Sequence, residues 1–206
     1  HAERHGPLAL IQFDAHSDTW PDDGSRLDHG TMFLRAARSG LIDAARSIHV
    51  GVRSHNADGH GFEVLTAPAV HRRGIDATIA SIRERVGDAK AYLTFDIDVL
   101  DPAFAPGTGT PVAGGLASWQ ALEILRGLSG LDIVGADVVE VSPPFDHAEI
   151  TALAAAIAQR SPAAVRSAKR LLNRAARNLD ASAADLLQAE SDEQKADIRM
   201  RLSAKR

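Results

Sequence analysis

The chain has 206 residues and a formal net charge of −4, and 45% of its residues are hydrophobic. This composition predicts one α/β domain of ordinary size with a substantial core and excludes a disordered chain. The absence of cysteine excludes disulfides, thiolate metal sites and cysteine nucleophiles. Because the sequence shows no membrane-length apolar run and no signal-peptide pattern, we expect a cytoplasmic protein with no membrane partner.

Charge is distributed unevenly along the chain. Residues 1–157 contain 12 Lys and Arg against 21 Asp and Glu, together with all nine histidines, whereas residues 158–206 contain 11 basic and 6 acidic residues. The net charge gives no reason to expect a nucleic-acid partner, and the acidic region favours cations, either metal ions or a basic substrate. We therefore predict two regions, 1–157 and 158–206.

Alternating strand and helix patterns run through the first region. Short apolar runs rich in β-branched residues predict strands over about 8–13, 47–52, 91–97 and 132–141. Helical periodicity predicts helices over about 30–42, 76–86 and 118–129, with Asp76 and Ser118 as N-caps of the last two. This alternation predicts a three-layer α/β/α sandwich with a mainly parallel sheet.

Helical patterns also dominate the end of the sequence. A further helix is predicted over 145–158, with Asp146 and Glu149 at capping-box spacing. A Ser-Pro opening at residues 161–162 and the stretch 183–203 predict a basic helical tail. At the other end, His1 is not an initiator methionine and a strand follows almost at once, so we expect an N-terminally truncated domain.

Two acidic motifs end predicted strands. Asp14, His16 and Asp18 alternate in "FDAHSD", and Asp96 and Asp98 alternate in "LTFDIDVLD". Ligands of open α/β sheets gather at the carboxyl ends of strands, and crowded carboxylates repel one another unless a cation lies between them. A carboxylate-rich set with one imidazole suits Mn²⁺ or a similar hard divalent ion, and it could hold two ions. The alternative for a single motif is a solvated acidic turn; the repetition favours the metal site.

Other residues lie in loops near these motifs. His29, in "DHGTMF", is a candidate proton shuttle because its ordinary pKa is close to neutrality; the alternative is a surface loop histidine. Glu140 ends the last predicted strand and could bind a planar cation such as guanidinium; the alternative is an exposed strand-end acid. The Gly- and Pro-rich segment 101–115 predicts a loop at the mouth of the site.

These stretches resemble the ureohydrolases, the family of arginases and agmatinases, over residues 1–157. The similarity rests on "FDAHSD", "HGTMF", "TFDIDVLDPAFAPGTGTPVAGGL" and "GADVVEVSPPFDHAEITALAA", in the family's order and spacing. The sequence looks most similar to agmatinases, since the Ser-Gly-Asn segment of arginases is absent from "WPDDGSRLDHG". The resemblance implies hydrolysis of a guanidino compound with two Mn²⁺ ions per subunit, in a homo-oligomer. The implied substrate is agmatine, giving putrescine and urea; the alternative is a guanidinobutyrase or related guanidino-acid hydrolase.

The resemblance also implies a role for each site residue. Asp14 and Asp96 would bridge the two ions, Asp18 would complete the shell of one, and His16 and Asp98 that of the other. His29 would be the proton shuttle for the leaving amine, and Glu140 would bind the guanidinium group.

Two features depart from the family pattern. The family supplies a further histidine ligand from an upstream Gly-Gly-Asp-His segment, which this sequence lacks, so one metal site would be incomplete and the chain could be an inactive metal-binding fragment. Residues 158–206 instead resemble the C-terminal helices of the enoyl-CoA hydratase (crotonase) family, without that family's catalytic segments. The alternative for this segment is an unrelated amphipathic tail.

Overall fold

Five parallel strands form the sheet at the centre of the structure. A computed structural model describes residues 1–21, 28–54, 56 and 59–159, which belong to one compact unit. The sheet has the order β3-β2-β1-β4-β5 and every neighbouring pair is parallel. The strands are β1 (Ala9–Phe13), β2 (Ile48–Val52), β3 (Glu63–Thr66), β4 (Ala91–Asp96) and β5 (Ile133–Val139). The four predicted strands are thus confirmed, and the whole described sheet is parallel.

Helices connect and flank these strands. They are α1 (Ala2–His5), α2 (Met32–Arg38), α3 (Ala67–Arg73), α4 (Ile75–Val86), α5 (Ser118–Gly127) and α6 (Ile150–Gln159). The connections through α2 and through α4 run in opposite directions along the sheet. Because parallel crossovers are right-handed, α2 and α4 lie on opposite faces, which gives the predicted three layers. None of the helices in the described ranges is long and apolar enough to cross a membrane.

The main core lies between one face of the sheet and helices α4 and α5. Ile11, Phe13 and Phe95 from the strands pack in one buried cluster with Ile82 of α4 and Ile124 of α5. Since successive strand residues point to opposite faces, their neighbours in sequence point away from this core. The second face of β1, β2 and β4 therefore presents the polar residues, namely Gln12, His49, Thr94 and Asp96.

The predicted helix starts were wrong at two positions. Gly74, with φ 80°, ends α3 and is also the N-cap of α4, so Asp76 lies within the first turn, where its charge suits the helix dipole. The N-cap of α5 is Ala117, whose N–H donates to Gln120 Oε1 at 2.9 Å. In both cases the N-cap is the last residue of the preceding segment, and its side chain is not polar.

The last described helix begins later than predicted. Asp146 accepts hydrogen bonds from the backbone N–H groups of Thr151 and Ala152, at 2.8 and 2.9 Å, so it satisfies the first turn of α6. Glu149 instead lies in a 3₁₀ turn with φ 57°, outside α6. The predicted helices beyond residue 159 lie outside the described residues.

The order of the strands reverses next to β1. The chain passes from β1 to β2 and β3 on one side, and then returns to place β4 and β5 on the other side of β1. Such a reversal leaves a crevice at the carboxyl ends of the two central strands, here β1 and β4. The two acidic motifs directly follow or end these strands, so the topology places them at this crevice.

Candidate metal centre

Three of the five predicted metal ligands come together at this crevice. Asp14, His16 and Asp98 each offer a ligand atom, and these atoms all lie within 4.8 Å of one another. His16 Nδ1 is 3.0 Å from Asp98 Oδ2 and 3.3 Å from Asp14 Oδ1. Asp14 and Asp98 are buried, whereas His16 is partly exposed. The cluster therefore joins the first motif to the second, although they lie more than eighty residues apart in sequence.

Backbone hydrogen bonds fix the two motifs against each other. The N–H of Ala15 donates to Asp98 Oδ1 at 2.9 Å, and the N–H of His16 donates to Asp14 Oδ1 at 2.6 Å. The N–H of Asp14 continues the sheet pairing by donating to the carbonyl of Val50 in β2. Each carboxylate is thus held in place by main-chain donors, which preorganises the cluster.

The other two predicted ligands, Asp18 and Asp96, line the same cleft of about 520 Å³. Asp96 Oδ1 accepts a hydrogen bond from the N–H of Asp98 at 2.9 Å, so the end of β4 turns tightly toward the cluster. Asp18 has a φ of 52°, a left-handed backbone conformation that non-glycine residues rarely adopt. Strained conformations of this kind concentrate at functional sites, which is consistent with a ligand role.

Crowding of these acids raises the pKa values of several carboxyl groups. Burial and the charges of Asp14 and Asp98 raise the pKa of Asp96 to about 9, and burial and Asp14 raise the pKa of Asp18 to about 8. Burial also raises the pKa of Asp14. Without a cation, the cleft therefore retains protons on carboxyl groups near neutral pH. A divalent ion at this position would replace those protons.

Asp98 and His16 respond in the opposite way. Burial disfavours the Asp98 carboxylate, but hydrogen bonds from His16 and from the N–H of Ala15 outweigh burial and lower its pKa. Hydrogen bonds to Asp14 and Asp98 raise the pKa of His16 to about 10. The raised pKa favours the imidazolium form of His16 near neutral pH, and its positive charge then lies between the side chains of Asp14 and Asp98.

The two candidate catalytic residues meet at the rim of the cleft. His29 Nδ1 lies 3.0 Å from Glu140 Oε1, and both residues line the cleft that holds the acidic cluster. The side chain of His29 is 88% exposed, so it can move away from Glu140. Glu140, like Asp18, has a left-handed backbone with φ 61°, directly after β5. The structure therefore brings both residues to the rim of the cleft, where their side chains contact each other.

A structural arginine that no sequence motif marks connects the segments around the crevice. Arg53 follows β2, and its guanidinium group donates hydrogen bonds to five backbone carbonyl oxygens at 2.6–3.3 Å: those of Gly51, Asp98, Val99, Leu100 and Val112. Next to it, Gly51 has φ 97°, and a Cβ there would lie 2.5 Å from a methyl group of Val99. These two residues allow β2 to pack directly against the turn that carries Asp98.

Replacing Arg53 by methionine is expected to lower the free energy of unfolding by about 3 kcal/mol, because several buried carbonyl groups lose a charged donor. Lysine should restore only part of this loss, since one ammonium group cannot reproduce the planar fork of guanidinium. Urea denaturation would measure both effects. The exposed Arg126→Met, which removes only a surface pair with Glu123, is the control and should change stability by less than about 0.5 kcal/mol. Equal stability of the Arg53 and Arg126 variants would contradict the structural role of Arg53.

Four further polar side chains surround the cluster. Gln12 Nε2 donates to Asp14 Oδ2 at 2.6 Å, and Thr110 Oγ1 lies 3.3 Å from Asp98 Oδ2. Tyr92 donates a hydrogen bond from its hydroxyl to Asp137 Oδ2 at 2.8 Å, and both residues line the cleft. The sequence carried one usable signal for Gln12, a polar residue inside the otherwise apolar run "LALIQF". Nothing comparable marked the other three.

Comparisons with known proteins agree with this geometry. The model of the family described as "Arginase family" matches residues 1–164, which is more than three quarters of the chain and extends slightly beyond residue 157. The chain belongs to the arginase family. Within this family, an agmatinase from Chromobacterium violaceum is 61% identical over 158 residues, and one from Neisseria meningitidis is 58% identical over 156 residues. Each alignment covers 76% of this chain, and 49% and 50% of the respective relative.

Solved structures of the arginase family also share the fold. A hypothetical agmatinase from Burkholderia thailandensis superimposes with a TM-score of 0.75 and 60% identity, covering 77% of this chain and 50% of that one. The arginase from Bacillus subtilis gives a TM-score of 0.69 at 26% identity, with coverages of 78% and 63%. The similarity is thus higher to these agmatinases than to that arginase, and the chain spans about half the length of the curated relatives it matches.

Proposed function

We propose that the protein hydrolyses agmatine to putrescine and urea with the help of two Mn²⁺ ions. The observation that carries this proposal is the convergence of Asp14, His16 and Asp98 at the crevice between β1 and β4, in one cleft with Glu140. Membership of the arginase family and the high identity to relatives named agmatinase support the guanidino substrate and the choice of agmatine.

The residues at the crevice fit a pair of hard divalent ions. The set contains four carboxylates, one imidazole and no thiolate, and these are ligands that suit Mn²⁺. Asp14 and Asp96 would be shared by both ions, Asp18 would bind one of them, and His16 and Asp98 would bind the other. When bound, such ions lower the pKa of a coordinated water so that hydroxide is available near neutral pH.

Glu140 is suited to hold the guanidinium group of the substrate. A carboxylate can accept two parallel hydrogen bonds from a guanidinium, which fixes the plane of the group as well as its position. In the structure His29 contacts the same carboxylate at 3.0 Å, so a guanidinium on Glu140 would lie directly beside this imidazole. His29 is then placed to deliver a proton to the leaving amine nitrogen as the C–N bond breaks.

The charge of the cleft favours a cationic substrate without a carboxylate. Two divalent ions would balance the four ligand carboxylates, so Glu140 and Asp137 leave the metal-loaded cleft negative; they would repel the carboxylate of arginine or 4-guanidinobutyrate and attract the ammonium group of agmatine. Trp20, Met32 and Phe33 add apolar surface beside His29 that could accommodate the methylene chain. We therefore expect agmatine to have the highest kcat/KM of these three compounds.

Urea release from the Mn²⁺-loaded protein tests the proposal directly. The assay compares agmatine, arginine and 4-guanidinobutyrate, and metal analysis gives the number of ions per chain. Preferred release from agmatine with two ions per chain is the expected result. Preference for 4-guanidinobutyrate would establish the alternative substrate. No urea from any compound, with fewer than two ions, would favour an inactive metal-binding fragment.

Replacing Glu140 by alanine is expected to lower kcat/KM for agmatine at least about a hundredfold, because two charge-assisted hydrogen bonds to the guanidinium are lost. Metal content should stay as in the wild type, since Glu140 is not among the ligands. Urea release and metal analysis on the same preparation measure the two effects. The matched control is Glu123→Ala on the exposed surface of α5, which should change neither quantity. Loss of metal from the Glu140 variant would contradict the assigned role.

A further inference from the structure

His49 is a buried histidine with no role in the proposed reaction. It lies in β2, it is 0% exposed, and neither ring nitrogen has a hydrogen-bond partner among the described residues. Its ring packs on Phe62 with a centroid distance of 4.6 Å. Burial lowers the pKa of His49 to about 3, so the imidazole is neutral and has one N–H donor and one acceptor nitrogen. A buried donor without a partner destabilises the folded state, so the burial of His49 calls for an explanation.

Gln12 is the neighbour of His49 on the adjacent strand. The two residues are register partners in the parallel pairing of β1 with β2. Their neighbours Phe13 and Val50 point into the main core, so Gln12 and His49 share the other face of the sheet. Gln12 is also 0% exposed, and its carbonyl oxygen Oε1 lacks a partner in the described part of the chain.

The orientation of the Gln12 amide is fixed by Asp14. The amide atom that lies 2.6 Å from Asp14 Oδ2 also lies 3.4 Å from the carbonyl oxygen of His16. Because a carbonyl oxygen only accepts hydrogen bonds, this atom is the nitrogen of the NH₂ group, whether or not Asp14 carries a proton. This arrangement turns Oε1 away from the metal cluster. The N–H of His49 lacks an acceptor and Gln12 Oε1 lacks a donor, so the two groups are complementary. Their side chains lie about one strand spacing apart.

We propose that one buried water links a ring N–H of His49 to Gln12 Oε1, and that this His49–Gln12 relay positions Asp14 for metal binding. The relay prevents the Gln12 amide from flipping, because a flip would place a carbonyl oxygen against the Asp14 carboxylate. Supporting residues of this kind orient metal ligands, and their loss typically weakens metal binding by 10- to 100-fold. His49 and Gln12 are therefore positioning residues. The metal part of the inference rests on the proposed function, whereas the hydrogen bond itself does not.

The hydrogen bond is tested on the metal-free protein. Long-range ¹⁵N NMR of His49 should show a neutral imidazole, and Gln12→Leu should shift the resonance of its protonated nitrogen. In a double-mutant cycle of His49→Phe and Gln12→Leu, the unfolding equilibrium constants should show a coupling of about fivefold, equivalent to about 1 kcal/mol. An unshifted resonance or strictly additive effects would overturn the relay, whatever the protein's activity. The NMR measurement decides if the phenylalanine variant fails to fold.

The positioning role is tested by Mn²⁺ titration. His49→Phe and Gln12→Leu should each weaken binding of the first ion about tenfold, and the double variant should be no weaker than the single ones. Thr78→Val is the matched control: it removes a buried polar group from α4, whose hydroxyl bonds the carbonyl of Gly74, and it should leave Mn²⁺ affinity unchanged. Wild-type affinity in His49→Phe would overturn the positioning role. No Mn²⁺ binding by the wild type would instead refute the proposed metal centre and leave the hydrogen bond to the metal-free experiments.

Discussion

Replacing Asp96 by asparagine is expected to abolish binding of both Mn²⁺ ions and, with it, all urea release. Asp96 ends β4 at the crevice; the residue is 7% exposed and lines the cleft that holds Asp14 and Asp98. As a residue proposed to be shared by both ions, it would contribute charge to each, whereas an amide is neutral and can offer only one oxygen. The fold should survive, because the amide oxygen can still accept the hydrogen bond from the N–H of Asp98.

A matched substitution separates this effect from a general loss of negative charge. Asp137→Asn changes an acid that lines the same cleft, but Asp137 pairs with the hydroxyl of Tyr92 and is not an assigned ligand. Metal analysis should therefore find two ions in the Asp137 variant and none in the Asp96 variant. If both variants lost the same small amount of metal, Asp96 would contribute only to the negative electrostatic potential of the cleft, and the proposal that it bridges the two ions would be wrong.

The placement of the acidic motifs could be predicted because it depends on local patterns and one topological rule. Apolar runs mark β1 and β4, and each run ends in acids, so a parallel sheet necessarily brings Asp14 and Asp98 to one edge. The sequence could not show that β1 and β4 are neighbours on the two sides of the reversal in strand order. This adjacency, formed only in the folded sheet, brings His16 Nδ1 within 3.0 Å of Asp98.

Features that depend on tertiary contacts were missed. Strand β3 has only four residues, too few for a periodic signal, and α3 follows it at once, with Thr66 Oγ1 accepting from the N–H of Ala69. Arg53 resembles any surface arginine in the sequence, and its role depends on carbonyl groups from three separate segments. In the same way, His49 had no evident partner until the register placed it beside Gln12.

Some expectations remain predictions. The helical tail over 158–206 and its similarity to the crotonase family fall almost entirely outside the described residues. The homo-oligomer and the cytoplasmic location also remain predictions.

Mn²⁺ affinity is expected to rise steeply between pH 6 and pH 9. The pKa values of about 9 for Asp96 and about 8 for Asp18 mean that these carboxyl groups carry protons near neutrality, and metal ligands have to be deprotonated. Each displaced proton raises the apparent affinity about tenfold per pH unit until its pKa is passed. Titration calorimetry in buffers of different ionisation enthalpy should detect release of about three protons at pH 7, two from these carboxyl groups and one from the imidazolium of His16, whose pKa is raised to about 10.

The stability of the metal-free protein should change in the opposite direction. These two carboxyl groups titrate near 3.8 when unfolded, so between about pH 4 and pH 9 the folded chain binds more protons than the unfolded chain. The stability that they contribute is complete below pH 4 and decreases as the pH rises through 8 and 9. His16, whose pKa is raised from 6.5 to about 10, acts in the same direction above pH 6.5.

Thermal unfolding at pH 5 and pH 8 should therefore show a lower Tm at pH 8 with a chelator and a higher Tm at pH 8 with saturating Mn²⁺. If the Tm in chelator rose with pH, or if Asp96→Asn left its pH dependence equally steep, these acids would not be the groups that retain protons in the folded chain.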